Sequence, residues 1–274
     1  MAIFENLQRV SVGTFIPADS PIHRRDPRAK LLALILLISA VTLGRSLAGL
    51  LAAVILSLLV VVLSKVPVQK ALTALRVPLL AILLLALLQL LITPSGPDDR
   101  LFFSVWIFTI SAPGVRAALM LIMRFTSMVW LFTAAAAAIS AIEMIYGFSL
   151  LFKPLQRVGI PTQSLTMTIQ MMLRFIPYLV LNAEKIAKAQ AARGAVWDDP
   201  RGTIIERTRQ MLPLIVPLFS TSLRQADTLA QAMVARAYGA SRQRSGLREY
   251  RFDFKDGIFL LFAFSAAGVV LFLP

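Results

Sequence analysis

The chain has no cysteine and a single histidine, His23. The first absence excludes disulfides and thiolate metal sites. The second leaves Ser-His-Asp catalysis and multi-histidine metal centres with almost no raw material. Charge is also scarce: of 274 residues 15% are charged and 58% hydrophobic, whereas a soluble domain has about a quarter charged and under half apolar. A soluble fold of this size cannot hide that much apolar surface, so lipid is part of the solvent. No G-x-x-x-x-G-K-[ST] phosphate loop occurs, which argues against ATP hydrolysis by this chain. Acidic residues suited to holding a coupling ion are missing from the apolar runs. Asp98 and Asp99 are the only adjacent acids beside such a run, and they sit in a Pro/Gly-rich turn, which is poor material for a membrane-embedded enzyme.

What the chain does have is positive charge, a net +14. In a membrane protein, Lys and Arg gather in cytoplasmic loops and meet anionic lipid there, a better account than nucleic-acid binding. No secretory leader is expected, because Arg24, Arg25, Arg28 and Lys30 precede the first apolar run.

A helical span needs roughly 20 apolar residues. Leu31 to Ser64 is nearly unbroken apart from Gly44, Arg45 and Ser46, and splits there into two antiparallel spans. A basic connector from Lys65 to Arg76 leads to a third span from about Val77 to Ile92, ended by turn chemistry from Thr93 to Asp99. Leu101 to Pro113 reads as an interfacial loop or short hairpin. Val115 to Ser140 forms a fourth span and Gly257 to Leu273 the last. The N-terminal segment, the connector and the stretch from Glu143 to Asp256 hold 24 of the 28 Lys and Arg residues. The N-terminus and the long stretch are therefore predicted to be cytoplasmic and the C-terminus outside.

Within that stretch, Leu165, Ile169, Met172, Ile176, Leu179, Ala183 and Ile186 recur in steps of three and four, one stripe of a helix. Ile205, Leu212, Ile215, Phe219, Leu223, Ala226, Ala230 and Met233 repeat the pattern. Two amphipathic arms, each on the order of 45–55 Å long, are predicted to pack stripe to stripe, with Pro213 and Pro217 kinking the second. Phe219, Leu223, Ala226 and Ala230 are expected to face Ile169, Met172, Ile176 and Leu179. Met167, Met171 and Met172 cluster on the first arm, as packing residues or as an adaptable face.

The arms end alike. The first closes in Ala192-Arg193-Gly194, the second in Ala235-Arg236-Ala237 before Tyr238-Gly239. Small neighbours let a partner approach the backbone, and arginine offers a permanently charged fork for carboxylates or carbonyls. Arginine at a helix C-terminus is also favoured by the macrodipole alone, but its recurrence at both ends points towards docking. Arg124 is the one charge well inside a span, a functional suspect that can equally snorkel or pair with a carbonyl. Asp26 and Arg28 pair or form an ordinary solvated turn.

The string from Gly13 to Lys30, with Asp-Ser-Pro, His-Arg and Asp-Pro-Arg in register, resembles the T component of energy-coupling-factor (ECF) transporters. Leu173-Arg174-Phe175-Ile176-Pro177 and Lys188 to Gly194 are similar to that family's central region, and the paired Ala-Arg-Gly ends to its signature. Ala237 departs from the pattern, where the family often has Gly. The resemblance covers essentially the whole chain. It implies an all-α integral membrane protein with about five transmembrane helices plus a cytoplasmic coupling domain of long amphipathic helices. Residues 1–140 would hold the N-terminal segment and four spans, 141–256 the coupling helices and 257–274 the last span. It further implies a plasma-membrane scaffold with no catalytic activity, metal or cofactor of its own. Its partners would be two cytoplasmic ATPases carrying ATP and Mg, and a small membrane S component that captures a vitamin. Ala192, Arg193, Gly194, Ala235, Arg236 and Ala237 would dock the ATPases. A dedicated cobalt or nickel importer is the alternative, and a stand-alone secondary carrier a more distant one.

Overall fold

The computed structural model describes residues 20–93, 101–105, 108–159, 162–195, 204–239 and 252–274. Expectations for residues 13–19, the turn at 94–100, Trp106 and the Asp198-Asp199-Pro200 turn lie outside that set. The described residues form eight α-helices, one short hairpin and one 3-10 segment. They fall into two compact units: one takes those up to Gly159 together with those from Phe252, the other 162–239.

The larger unit holds α1 (Pro27–Leu43), α2 (Leu47–Leu63) and α3 (Val68–Ile92). The antiparallel strands β1 (Leu101–Val105) and β2 (Phe108–Ser111) follow, then α4 (Ala112–Ala138), α5 (Ala141–Leu151) and, after a 3-10 segment over Lys153–Val158, α8 (Phe254–Phe272). The smaller unit is α6 (Thr162–Ala192) and α7 (Ile204–Ala235). Among the described residues, four helices are long and apolar enough to cross a membrane: α3, α4, α8 and the 164–192 stretch of α6. With 17 residues each, α1 and α2 are about 25 Å long, near the lower limit for a span.

Local chemistry sets the helix starts. Asp26 caps α1 by accepting from the Arg28 N–H, and Pro27 follows at a position where a missing N–H costs nothing. Ser46, Ser111 and Ser140 cap α2, α4 and α5 in the same way. Asp253 and Asp256 form a reciprocal capping box at the head of α8. The third span differs from expectation. Its helix begins at Val68, running through most of the basic connector, because Gln69 to Arg76 are, Thr73 apart, good helix formers behind the Pro67 cap. Charge had marked a connector where the backbone continues. The hairpin appears at 101–111, with a bulge between Leu101 and Phe103.

In this unit α4 packs against α2 and α3, while α8 packs against α1 and α2. Apolar helices in lipid have no hydrophobic reason to associate, so close packing and polar contacts must hold them. Both are present. A Cβ on Gly49 would lie 2.3 Å from the Val270 carbonyl oxygen, and one on Gly147 would lie 2.6 Å from a Leu31 methyl. These glycines let α2 approach α8 and α5 approach α1.

The polar contacts sit at helix ends. His23 donates from Nε2 to the Ala137 carbonyl at 3.2 Å, and Lys30 donates to the Ala138 carbonyl at 3.3 Å. Both satisfy carbonyls left over at the end of α4. Lys30, only 4% exposed, also pairs with Glu143 at 3.2 Å. The Asp26 N–H donates to Asp256 at 3.2 Å, joining α1 to α8. Asp26 is 5% exposed, so the solvated turn that its local sequence suggested is instead a buried junction. At the opposite end, Ser46 donates to the Leu273 carbonyl at 2.6 Å. The outward faces are apolar, with Val77, Leu80, Leu261 and Phe264 exposed for lipid.

Breaking one side of a buried ion pair costs about 3–5 kcal/mol, while replacing both partners with apolar groups is often near neutral. Glu143 keeps some solvent contact, so Lys30→Ala is expected to destabilise the chain by about 3 kcal/mol. Lys30→Met with Glu143→Leu is expected to recover most of that loss. Detergent unfolding curves of the two variants check it, and equal losses would contradict it.

Candidate functional site

The arms of the smaller unit follow the long amphipathic patterns of their sequences. With 31 and 32 residues, α6 and α7 run about 46 and 48 Å. Pro177, Pro213 and Pro217 lie inside them, each removing one backbone hydrogen bond.

Their ends share one geometry. At the end of α6 the Ala195 N–H donates to Gln190 O and the Gly194 N–H to Ala191 O, both at 3.0 Å, with Gly194 at φ +84°. At the end of α7 the Tyr238 N–H donates to Met233 O and the Ala237 N–H to Val234 O, both at 2.9 Å, with Ala237 at φ +55°. Each is a Schellman closure, in which a left-handed residue folds two N–H groups back onto the last turn. Arg193 and Arg236 therefore occupy the same C-cap position. Both are exposed, as are Ala192, Gly194, Ala235 and Ala237 around them. The macrodipole favours a positive charge there, but an exposed arginine on a bare, small-residue collar also leaves a partner free access to the fork and the backbone.

Sequence pattern did not reveal that Ala237 takes the left-handed position. Gly239, also at positive φ, lies two residues later and does not close the helix. An alanine in the left-handed region costs roughly 1–2 kcal/mol relative to the right-handed one.

The arms do not meet stripe to stripe. Ile169, Met172, Phe219 and Leu223 are exposed, at 44%, 60%, 64% and 52%. Contact runs along another face, where the Tyr178 hydroxyl donates to Gln225 Oε1 at 3.2 Å and Tyr238 bonds the Met167 sulfur. Between the arms lies a groove of about 460 Å³, lined among others by Met171, Phe175, Leu229, Met233 and Arg236. Periodicity located the apolar stripe correctly, but it could not tell a stripe kept for a partner or lipid from one used inside the fold. Of the three clustered methionines, Met167 and Met171 line the groove and Met172 faces out.

Arg124 lies in the larger unit. Its Nη2 donates to the Gly44 carbonyl at 2.6 Å, capping the C-terminus of α1. Of the two bland readings of this residue, the geometry matches pairing with a carbonyl.

These features define a helical membrane protein with a lipid-facing bundle and two long arms whose ends match. A sequence family described as CbiQ, cobalt transport protein, matches residues 18–245. The energy-coupling factor transporter transmembrane protein EcfT of Brevibacillus brevis is 32% identical, over 92% of this chain and 93% of its own length. The protein of that name from Heliobacterium modesticaldum is 33% identical, over 93% and 97%. That of Bacillus subtilis is 30% identical, over 96% and 97%. The chain belongs to the CbiQ family, as an EcfT-like T component of ECF transporters. It is a non-catalytic membrane subunit of a transporter with other subunits.

The shared end geometry predicts opposite responses to small substitutions. Gly194→Ala is expected to speed hydrogen exchange of the Gly194 and Ala195 amides about five- to thirtyfold, from the 1–2 kcal/mol left-handed penalty. Ala237→Gly is expected to slow exchange at Ala237 and Tyr238 about fivefold. Exchange measured by mass spectrometry checks both, and a common sign would contradict the shared geometry.

Proposed function

We propose that this T component is a lever between two cytoplasmic ATPase subunits and a small membrane S component, with 162–239 as its coupling part. The observation that carries this reading is the pair of exposed arginines at matching helix closures. A charged fork at the tip of a 46–48 Å helix can enter a partner pocket without disturbing the bundle. The chain contributes no cofactor in this scheme, and ATP and Mg are held by the partners. The exposed stripe through Ile169, Met172, Phe219 and Leu223 supplies apolar surface for the S component or the membrane face.

A vitamin is the proposed cargo. Support comes from the N-terminal segment, which looks like the shared-module type, from the scarcity of metal-handling side chains, and from relatives named as energy-coupling factor proteins. The family's description as cobalt transport proteins favours a second reading, a dedicated cobalt importer. Uptake of labelled vitamins against labelled cobalt in cells expressing the whole complex separates the two.

Truncating one partner of a desolvated charged contact costs about 2–5 kcal/mol. Arg193→Ala and Arg236→Ala are each expected to weaken ATPase association by roughly thirty- to several-thousand-fold, with insertion and folding unchanged. The double variant is expected to release both ATPases. Its normal copurification and transport would contradict docking through these residues.

Charge bias places the N-terminus and the arms in the cytoplasm and the C-terminus outside. A reporter after Pro274 is then expected to read outside, and one in the Asp198-Asp199-Pro200 turn inside. An inside reading at Pro274 would require an even number of spans. An outside reading at 198–200 would mean that α6 crosses the bilayer.

A further inference from the structure

The larger unit contains a cavity of about 300 Å³ enclosed by α1, α2, α4 and α8. Its walls are apolar, formed in part by Leu34, Leu37, Leu131, Ala134, Phe259 and Phe262. Leu63, Ile258 and Phe262, which also line it, are 42%, 54% and 52% exposed. The cavity therefore opens among side chains that face lipid.

Polar groups gather where α1 and α8 begin and α2 and α4 end. Arg25, Lys30, Ser64 and Lys255 all line the cavity. Lys30 is committed to Ala138 and Glu143. Among the described residues, Arg25 and Lys255 have no acidic partner within ion-pair distance. Ser64 is 1% exposed, and its Oγ has no hydrogen-bond partner. A buried hydroxyl without a partner is rare and costly, and is usually explained by a group that joins it.

We propose that this cavity is a binding site for one anionic phospholipid. An acyl chain fills the apolar volume, the phosphate lies against Arg25 and Lys255, and Ser64 donates to a phosphate or ester oxygen. The chemistry selects this occupant. Two cations at one end of an apolar slot match a molecule with a single anionic head and a long apolar tail, and basic pockets between transmembrane helices bind anionic lipid heads. A soluble anion would leave the slot unfilled. An apolar helix from another protein would leave both cations and the hydroxyl without partners. The proposal needs only the membrane placement of the bundle and is independent of how the arms dock.

The test uses the full chain in nanodiscs of equal phosphatidylglycerol and phosphatidylcholine, stripped mildly and weighed by native mass spectrometry. One phosphatidylglycerol per chain is expected, preferred over phosphatidylcholine by tenfold or more. Arg25→Gln with Lys255→Gln is expected to reduce that preference by roughly ten- to thirtyfold, from the usual attraction of a basic residue to an anionic surface. Ser64→Ala, which leaves both charges in place, is expected to weaken retention roughly tenfold and stands in if the double variant fails to fold. Ala134→Phe is expected to fill the slot and abolish retention of both lipids. No retained lipid, equal retention of the two headgroups, or a preference unchanged in a folded Arg25/Lys255 variant would overturn the proposal. So would a protein helix photo-cross-linked into the slot.

Discussion

Carbonyls left over at the end of a transmembrane helix need donors, and in this protein the N-terminal segment provides them. His23 and Lys30 bond the last carbonyls of α4, while the Asp26 backbone bonds Asp256 at the head of α8. Without these contacts little would fix one end of the bundle, since apolar faces gain nothing by leaving lipid for each other. At the other end Ser46 and Arg124 do the same work on Leu273 and Gly44. The bundle is thus held at its two polar rims, with glycine contacts between, and its flanks stay apolar. Such a body can rest in a membrane as a rigid base.

The arms follow different rules. They are long, mostly exposed, and joined through a few contacts such as Tyr178 with Gln225. Packed helices that share little fixed polar contact can shear by small sliding motions. Their Schellman ends hold Arg193 and Arg236 in one geometry despite different closing residues. A subunit with two equivalent tips suits two similar partners, and exposed apolar stripes along the shafts suit a third. In the proposed function the bundle is the base and the arms are the levers.

Much of this was legible in the sequence, for identifiable reasons. Apolar length located five of the six helices of the larger unit because spans must be apolar throughout, while α5, at 11 residues, is too short to register as one. Paired Ala-Arg motifs located the arm ends because small residues and arginine are unusual together there. Other features were hidden. Periodicity reports an apolar stripe without saying what covers it, so it does not identify the face that joins the arms. Lys70 and Arg76 mark a connector by their charge, yet both favour helix and lie within α3. The junction of Asp26 with Asp256 is hidden because the two lie more than a hundred residues apart in the chain. Ala237 gives no sign of its left-handed backbone, since that conformation favours glycine and Gly239 lies two residues on.

The central claim is that the arms move when partner ATPases bind and hydrolyse ATP. The lack of native cysteine allows a direct measurement, with spin labels at exposed Ala189 and Gln231 and the distance read by pulsed dipolar spectroscopy on the reconstituted transporter. A distance distribution that differs between ATP-bound and ADP-bound complexes, and that loses nucleotide dependence without the ATPases, is the predicted result. One distribution under all nucleotide conditions in an actively transporting complex would show a fixed tether, contradicting the lever.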